Sequence, residues 1–275
     1  MRNALIVGAI VAAFVQSSAI AADLEFKAPP PPPCMWCGLY VGGNAGWAVG
    51  RETVSTTSFF PVPPFLAVDV AGINTAASPA LSANGFTGGA QFGYNWEIGR
   101  AVLGLEADAD FPSLKTSSAG TFPFPSTLPG GAIGPPTTFF TTSTSVSTDW
   151  MVSLRPRVGF AFNNWLFYGT GGVAVAKENF SQNIALLAGF VLSDNFSATQ
   201  VGWTAGGGIE AKISPNVSIR LEYLYYDFGT TPAAAGILTT PLAGSGVSSA
   251  TRLTTSTARF GLNWHFNDTL ALRAF

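Results

Sequence analysis

Charged side chains recur at every second position in several segments of this 275-residue chain. Glu106, Asp108 and Asp110 form one such row, and Arg155 and Arg157 form another. Closely spaced carboxyls can bind a cation or act as general acid and base, because neighbouring charges separate their proton affinities. Both rows lie in segments that can pair as neighbouring strands, so mutual ion pairing is the stronger expectation. We therefore expect the two rows to form an ionic cluster, and an acid–base site is the weaker alternative.

The cysteines and the histidine offer little catalytic chemistry. Cys34 and Cys37 form a C-x-x-C, but no thioredoxin-like βαβ pattern accompanies it and no second C-x-x-C completes a zinc site. A small local disulfide and two unreactive thiols both remain open. His265 is the single histidine, and packing inside the fold is its favoured role. The sequence therefore predicts no enzyme activity, no metal and no cofactor.

The N-terminus has the three parts of a secretory signal peptide. Arg2 gives a positive start, residues 4–15 are apolar, and Ala19-Ile20-Ala21 supplies an A-x-A ending. The apolar run is too short to cross a bilayer as a helix. We predict a signal peptide over residues 1–21, followed by a proline-rich periplasmic segment over residues 22–35 that contains five consecutive prolines.

The chain is unusually apolar, yet after the N-terminal segment no apolar stretch is as long as a membrane helix. Hydrophobic residues make up 47% of the chain and the mean hydropathy is +0.32. Charged residues make up only 10%, whereas soluble domains carry about 25%. A transmembrane β-barrel reconciles these features, because its outer surface is apolar while its strands need only alternate. The 13 basic residues form no cluster, so no nucleic acid partner is expected.

Eight segments have the period-two alternation of β-strands and are rich in glycine, aromatic and β-branched residues. No comparable run has helical periodicity. The predicted strands are Gly38–Val49, Gly85–Glu97, Ala101–Phe111, Asp149–Phe162, Trp165–Ala176, Thr199–Ile213, Val217–Phe228 and Leu253–Phe266.

Short and long connections alternate strictly between these segments. The short ones are residues 97–100, 163–164 and 214–216. The long ones are residues 51–84, 112–148, 177–198 and 229–252, all rich in Ser, Thr, Ala, Gly and Pro. Such alternation is typical of a barrel with one periplasmic and one external rim. We predict an all-β, eight-stranded antiparallel up-and-down transmembrane β-barrel over residues 36–266, with residues 267–275 as a C-terminal extension.

The two faces of the strands separate charge from apolar side chains. Charged residues in the strands fall opposite the aromatic ones, and a charge on the lipid face would cost about 2–4 kcal/mol near the midplane. The charges are therefore predicted to point inward, where an eight-stranded barrel leaves room only for side chains. A neutral, interlocked ionic network is favoured over an ion-selective constriction. Its predicted members are Glu106, Asp108, Asp110, Arg155, Arg157, Glu210, Lys212, Arg220, Glu222 and Arg259.

Three residue types carry local expectations. Pro156 lies in the middle of a predicted strand, where proline removes a ladder hydrogen bond, so a β-bulge is expected there. Paired glycines such as Gly42-Gly43 relieve crowding in a tightly curved barrel. Tryptophans near strand ends suggest an aromatic girdle at the membrane interfaces, with ordinary packing an equal alternative for any single one. These tryptophans are Trp36, Trp47, Trp96, Trp150, Trp165 and Trp264.

Several blocks resemble one known family when taken together. GLYVGGNAGW at residues 38–47 is similar to the first strand of small alphaproteobacterial outer-membrane porin-family proteins, also called outer-membrane immunogenic proteins. The similarity continues in GGAQFGYNW at 88–96, LFYGTGGVA at 166–174, LEYLY at 221–225 and RFGLNWHF at 259–266. It covers nearly all of the predicted barrel except the long loops.

The resemblance implies an OmpA-like barrel in the outer membrane of a Gram-negative cell. It implies roles in envelope integrity and in surface or host contact, with a narrow porin-like channel for small solutes as the alternative. The expected partners are outer-membrane lipid, the barrel-assembly machinery, and extracellular or host ligands of the long loops.

Overall fold

The computed structural model describes residues 34–60, 65–127, 138–186, 191–231, 234–237 and 244–266. The predicted signal peptide, most of the proline-rich segment and the C-terminal extension lie outside these residues. Ten antiparallel strands, one α-helix and a 3₁₀ turn make up the described part. They are β1 (Gly38–Phe59), α1 (Ala67–Ala76), β2 (Ala80–Ile98), β3 (Ala101–Pro112), β4 (Leu114–Pro123), the 3₁₀ turn (Pro125–Thr127), β5 (Phe139–Phe162), β6 (Trp165–Ala185), β7 (Val191–Ser214), β8 (Val217–Thr230), β9 (Ala234–Ile237) and β10 (Gly246–His265).

Eight of the strands close into a ring, which confirms the predicted fold. They follow the order β1-β2-β3-β5-β6-β7-β8-β10, and β10 pairs back onto β1 from Tyr40–His265 to Phe59–Gly246. β4 continues the line of β3 along β5, and β9 adds a short pairing to β10. The three short connections are tight turns, and positive φ angles at Gly99 and Asn163 turn the chain in two of them.

Period-two alternation along β1 defines a membrane band. Outward positions run from Leu39 to Val49 without a polar side chain, and Arg51 begins a polar outward series. Inward positions over the same span include Tyr40 and Asn44, both buried. The apolar outward stretch agrees with the band of about 25 Å that surrounds a transmembrane barrel. None of the helices in the described ranges is both long and apolar enough to cross a membrane.

The strands extend further beyond this band than the sequence indicated. β1 runs on to Phe59 instead of Val49, β5 begins at Phe139 instead of Asp149, and β6 ends at Ala185 instead of Ala176. Parts of the predicted long loops are therefore paired strand. Most outward residues in these extensions are Ser, Thr, Asn or basic, so the apolar outward signal ends while backbone pairing continues. The prediction followed the lipid-facing pattern and stopped too early.

Pro156 produces no bulge, which corrects the sequence-based expectation. The β5–β6 ladder has the same register on either side of it, at Leu154–Val173 and Arg157–Thr170. Pro156 faces outward, and its carbonyl oxygen accepts a hydrogen bond from Thr170 Oγ1 at 2.9 Å. The register of the β5–β6 ladder shifts at a different place, between Thr148 and Trp150, which precede Pro156 in β5.

Helix α1 lies at the end of the barrel away from the tight turns. Ile73 and Ala77 are fully buried and belong to an apolar cluster with inward residues of β5, β6, β7 and β10. The carboxylate of Asp69 accepts the backbone N–H groups of Leu66 (3.1 Å) and Ser126 (3.0 Å), joining the start of α1 to the 3₁₀ turn. Part of the predicted long loop over residues 51–84 is therefore a helix that fills this end of the barrel.

A matched pair of glycines on β1 tests the closed ring. A Cβ on Gly46 would lie 2.2 Å from the Ala258 carbonyl oxygen and 2.7 Å from Arg259 Cα, whereas a Cβ on Gly43 would meet nothing closer than 3.7 Å. Gly46→Ala is expected to lower the free energy of unfolding by about 1–3 kcal/mol, and Gly43→Ala should leave it unchanged or slightly raised. Urea unfolding of the refolded barrel in lipid measures both. Equal stabilities for the two variants would contradict the close β1–β10 packing.

Candidate functional site

The lumen at the level of the membrane holds a layer of charged side chains, which we call the ionic core. Each comes from an inward position of its strand, and the nine residues are at most 4% exposed. Burial is tolerated because almost every charge faces an opposite one. The members are Glu106, Asp108 and Asp110 on β3, Arg155 and Arg157 on β5, Glu210 on β7, Arg220 and Glu222 on β8, and Arg259 on β10.

Glu106 is the centre of this layer. Its Oε2 atom lies 2.5 Å from Arg220 Nη1, and β3 and β8 are opposite one another in the ring, so this pair spans the lumen. Its Oε1 atom lies 2.6 Å from Arg155 Nη2, and the Tyr40 hydroxyl donates to Oε2 at 2.5 Å. A single carboxylate therefore joins three walls of the barrel.

Arg259 links the remaining acids of β3 to β8. Its Nη1 atom lies 3.0 Å from Asp108 Oδ1 and 2.5 Å from Asp110 Oδ2, and its Nη2 atom lies 2.7 Å from Glu222 Oε2. Asp108 also accepts a hydrogen bond from Ser153 at 2.6 Å. Charge-assisted bonds of this kind are stronger than neutral ones, and here they fix three strands together.

Arg157 occupies the side of the layer nearer the tight turns. Its guanidinium lies over the rings of Tyr40 and Tyr168, at 4.8 and 5.0 Å from their centroids. Its Nη1 atom pairs with Glu210 Oε2 at 3.2 Å. Asn263 also donates to Glu210, at 2.7 Å. Stacking between two aromatic faces suits the planar guanidinium and would not suit a lysine.

Lys212 does not join the layer, which corrects its inclusion in the predicted network. Its Nζ atom donates to the Pro215 carbonyl oxygen at 3.1 Å and lies 5.4 Å from the ring centroid of Trp36. Within the described part of the chain it forms no ion pair. Lys212 keeps the register of Glu210 against β8, but it lies two residues before the end of β7, which places its side chain at the rim. The core therefore combines five acids with four arginines instead of the balanced set expected.

Trp36 closes the lumen at the end with the tight turns. It is fully buried, not part of the outward girdle as the sequence suggested, and its ring meets His265 edge-on at 6.0 Å. Its backbone N–H donates to Glu97 at 2.8 Å. Cys34 and Cys37 form a disulfide around it, so the C-x-x-C turn holds an aromatic cap in place. Trp47, Trp96, Trp165 and Trp264 do face outward, each about half exposed.

The described part of the chain brings together no reactive constellation in the lumen. Cys34, Cys37 and Glu97 are the one group there with three potential metal-ligating atoms close together, and the disulfide removes both thiolates. The acids that sequence reasoning considered for acid–base chemistry are all engaged by arginine. Opposed charges that fill the cross-section of so narrow a barrel hold its walls together.

These features define a class of protein: a small transmembrane β-barrel of eight ring strands with a filled, ionic interior. The family model "Outer membrane protein beta-barrel domain" matches residues 8–266. The chain belongs to this outer-membrane β-barrel family.

Curated relatives agree with the family match. The chain is 33% identical over 237 residues to the "31 kDa outer-membrane immunogenic protein" of Brucella melitensis, covering 80% of this chain and 85% of the relative. It is 26% identical to the "22 kDa outer membrane protein" of Rhizobium leguminosarum, covering 74% and 69%. Among solved structures, Neisserial surface protein A has a TM-score of 0.34 and 13% identity, covering 83% and 97%. The chain is thus an outer-membrane protein of the immunogenic group, as its sequence motifs had indicated.

Sequence reasoning missed the polar residues that complete the ionic core. Tyr40 and Tyr168 bond Glu106 and Glu222 through their hydroxyl groups, at 2.5 and 2.9 Å. Tyr40 occupies an inward position of the period-two pattern and could have been found there. Tyr168 could not, because its segment is apolar on both faces.

Neutralising the central carboxylate should destabilise the barrel far more than neutralising an exposed acid. Glu106→Gln leaves Arg155 and Arg220 without their closest counter-charge, and breaking such a buried group typically costs about 3–5 kcal/mol. Asp149→Asn removes an exposed pair with Lys177 at 3.5 Å, which is worth about 0–1 kcal/mol. Urea unfolding in lipid compares the two. A Glu106→Gln barrel as stable as wild type would show that the ionic core contributes nothing to stability.

Proposed function

We propose that this protein is a closed structural barrel of the outer membrane that supports envelope integrity and carries a surface for external contacts. The ionic core supports this proposal most directly, because the Glu106–Arg220 pair crosses the full width of the lumen. Trp36 at one end and α1 at the other add two further closures. A closed barrel of this kind acts through its walls and its surface, not through turnover of a substrate.

The membrane band of the barrel and the strand extensions beyond it suit different partners. The apolar outward band fits outer-membrane lipid, and the barrel-assembly machinery would insert it there. Beyond the band, the extended strands present Ser, Thr and Asn outward, including Ser145 on β5 and Asn195 on β7. Such a polar, weakly charged wall is suited to contacts with extracellular or host molecules. The word "immunogenic" in the names of the relatives is consistent with exposure of this part.

Planar bilayers decide between the closed barrel and a narrow channel for small solutes. Wild-type protein, shown to be folded by its heat-modifiable gel mobility, is expected to give no conductance steps in concentrated KCl. A porin of known conductance, inserted in the same membrane, serves as the positive control. Discrete single-channel steps from the folded protein would contradict the closed barrel and support the narrow channel.

Loss of the gene should weaken the envelope if the barrel has a structural role. Deletion is expected to increase uptake of a hydrophobic dye and sensitivity to detergent, and wild-type protein should restore both. Asp149→Asn should restore them equally, whereas Glu106→Gln should restore them only in proportion to its folded amount. An intact permeability barrier in the deletion strain would contradict this role.

Labelling of intact cells tests which rim faces outward. Ser145→Cys lies in the extended part of β5, and Arg100→Cys lies in the tight turn between β2 and β3; both positions are exposed. A membrane-impermeant maleimide should label the first and not the second, while the native cysteines stay unreactive in their disulfide. The reverse pattern would invert the proposed orientation.

A further inference from the structure

Two buried glutamates face one another above the membrane band. Glu52 on β1 is 5% exposed, and Glu178 on β6 is fully buried. β1 and β6 are opposite strands of the ring, so this carboxyl pair crosses the lumen as the Glu106–Arg220 pair does below it. The outward neighbours Arg51 and Lys177 are polar, which places the pair beyond the lipid-facing segment. Unlike the ionic core, the pair forms no ion pair with an arginine of the described residues.

The hydrogen bonds around the pair assign one proton to it. Glu178 accepts from Thr251 Oγ1 at 2.8 Å and from the side-chain amide of Gln200, one donor on each of its oxygens. Glu178 is therefore the acceptor of the pair, and its bond to the facing Glu52 requires Glu52 to donate. The other oxygen of Glu52, Oε1, has no hydrogen-bond partner among the residues that the structure describes. A neutral acid next to a carboxylate accounts for this pattern.

The surroundings explain why Glu52 keeps its proton. Val54, Leu81, Val146 and Phe180 form a buried apolar cluster beside it. A cavity of about 10 Å³ at Glu52 has room for a single water at most. Burial, and then the charge of Glu178, raise the pKa of Glu52 to about 10. The other lumen charges are further along the strands: Asp110 and Arg259 toward the ionic core, and Asp194 on β7 toward the mouth.

The same two strands hold the end of helix α1, two inward positions further along each strand. Thr56 on β1 and Gln182 on β6 each donate to the Ala77 carbonyl oxygen, at 2.7 Å in both cases. The Thr56 hydroxyl oxygen also lies 3.1 Å from Gln182 Oε1. Each lies four residues beyond a member of the carboxyl pair. Any change that pushes β1 and β6 apart at Glu52 and Glu178 therefore strains the bonds that anchor the plug.

We propose that the shared proton of Glu52 and Glu178 latches the extracellular mouth, and that its loss at alkaline pH releases helix α1. With the proton bound, a hydrogen bond joins the two walls; without it, two buried carboxylates repel across the lumen. Because the closed state holds this proton more tightly than an open, hydrated state, acid favours closure. The stabilisation is complete below the ordinary pKa of a glutamate and declines as pH rises toward the raised pKa of Glu52.

Hydrogen exchange of the α1 amides measures the latch. Wild-type and Glu52→Gln barrels, both full-length and in lipid nanodiscs, are measured at each pH from 5 to 9. At each pH the exchange rate of wild type is divided by that of Glu52→Gln, because this ratio cancels the intrinsic pH dependence of exchange. The glutamine side chain donates to Glu178 as the neutral acid does but cannot ionise. The ratio is expected to rise with pH, by at most about tenfold per pH unit for one linked proton.

Asp194→Asn is the matched control, because Asp194 is also a buried acid near the mouth and its pKa is also raised by burial. It should keep most of the wild-type pH dependence, whereas Glu178→Gln should weaken it, because the charge that faces Glu52 is removed while the burial of Glu52 remains. Heat-modifiable gel mobility verifies folding, and either glutamate variant suffices if the other fails to fold. A flat ratio would overturn the proposal, as would loss of the pH dependence in Asp194→Asn alone. If millimolar calcium slowed exchange of the α1 amides at pH 9 and EDTA reversed this effect, the carboxyl pair would be a cation site and the proton latch would be overturned.

Discussion

The whole structure depends on one constraint: a chain in lipid must keep every charge and every backbone polar group away from hydrocarbon. Closure of β10 onto β1 satisfies the backbone, because no strand edge of the ring remains open in the membrane. The same closure creates an interior just wide enough for side chains, so the inward charges must pair with one another. Glu106, held by Arg155 and Arg220, is where these two requirements meet.

The lumen is organised in layers along the barrel axis, each closed by a different interaction. Trp36 covers the end with the tight turns through aromatic packing. The ionic core follows within the membrane, and the carboxyl pair lies above it, where apolar neighbours and a shared proton take the place of arginine. Helix α1 fills the mouth. Ion pairs are thus concentrated in the membrane layer, and apolar packing and hydrogen bonds close the layers above it.

Much of the fold could be predicted because a barrel strand repeats every two residues. Glu106, Asp108 and Asp110 fall inward whatever their partners are, since Leu105 and Phe111 must face lipid. The strand extensions beyond Val49 and before Asp149 could not be predicted from that pattern, because Ser and Thr outside the membrane give no contrast between faces. Helix α1 also escaped detection, since its burial depends on strands far away in the sequence.

The sequence by itself determined the class of protein, the number of strands in the ring and the side of each strand that carries charge, because these follow from local alternation and connection length. Only the tertiary structure decided which charges meet. Ring order and register put Arg220 opposite Glu106, moved Lys212 to the rim and brought Glu52 to Glu178. Charge pairings in the lumen join residues as far as 151 positions apart in the chain, as Asp108 and Arg259 are, and no local pattern encodes contacts across a closed cylinder.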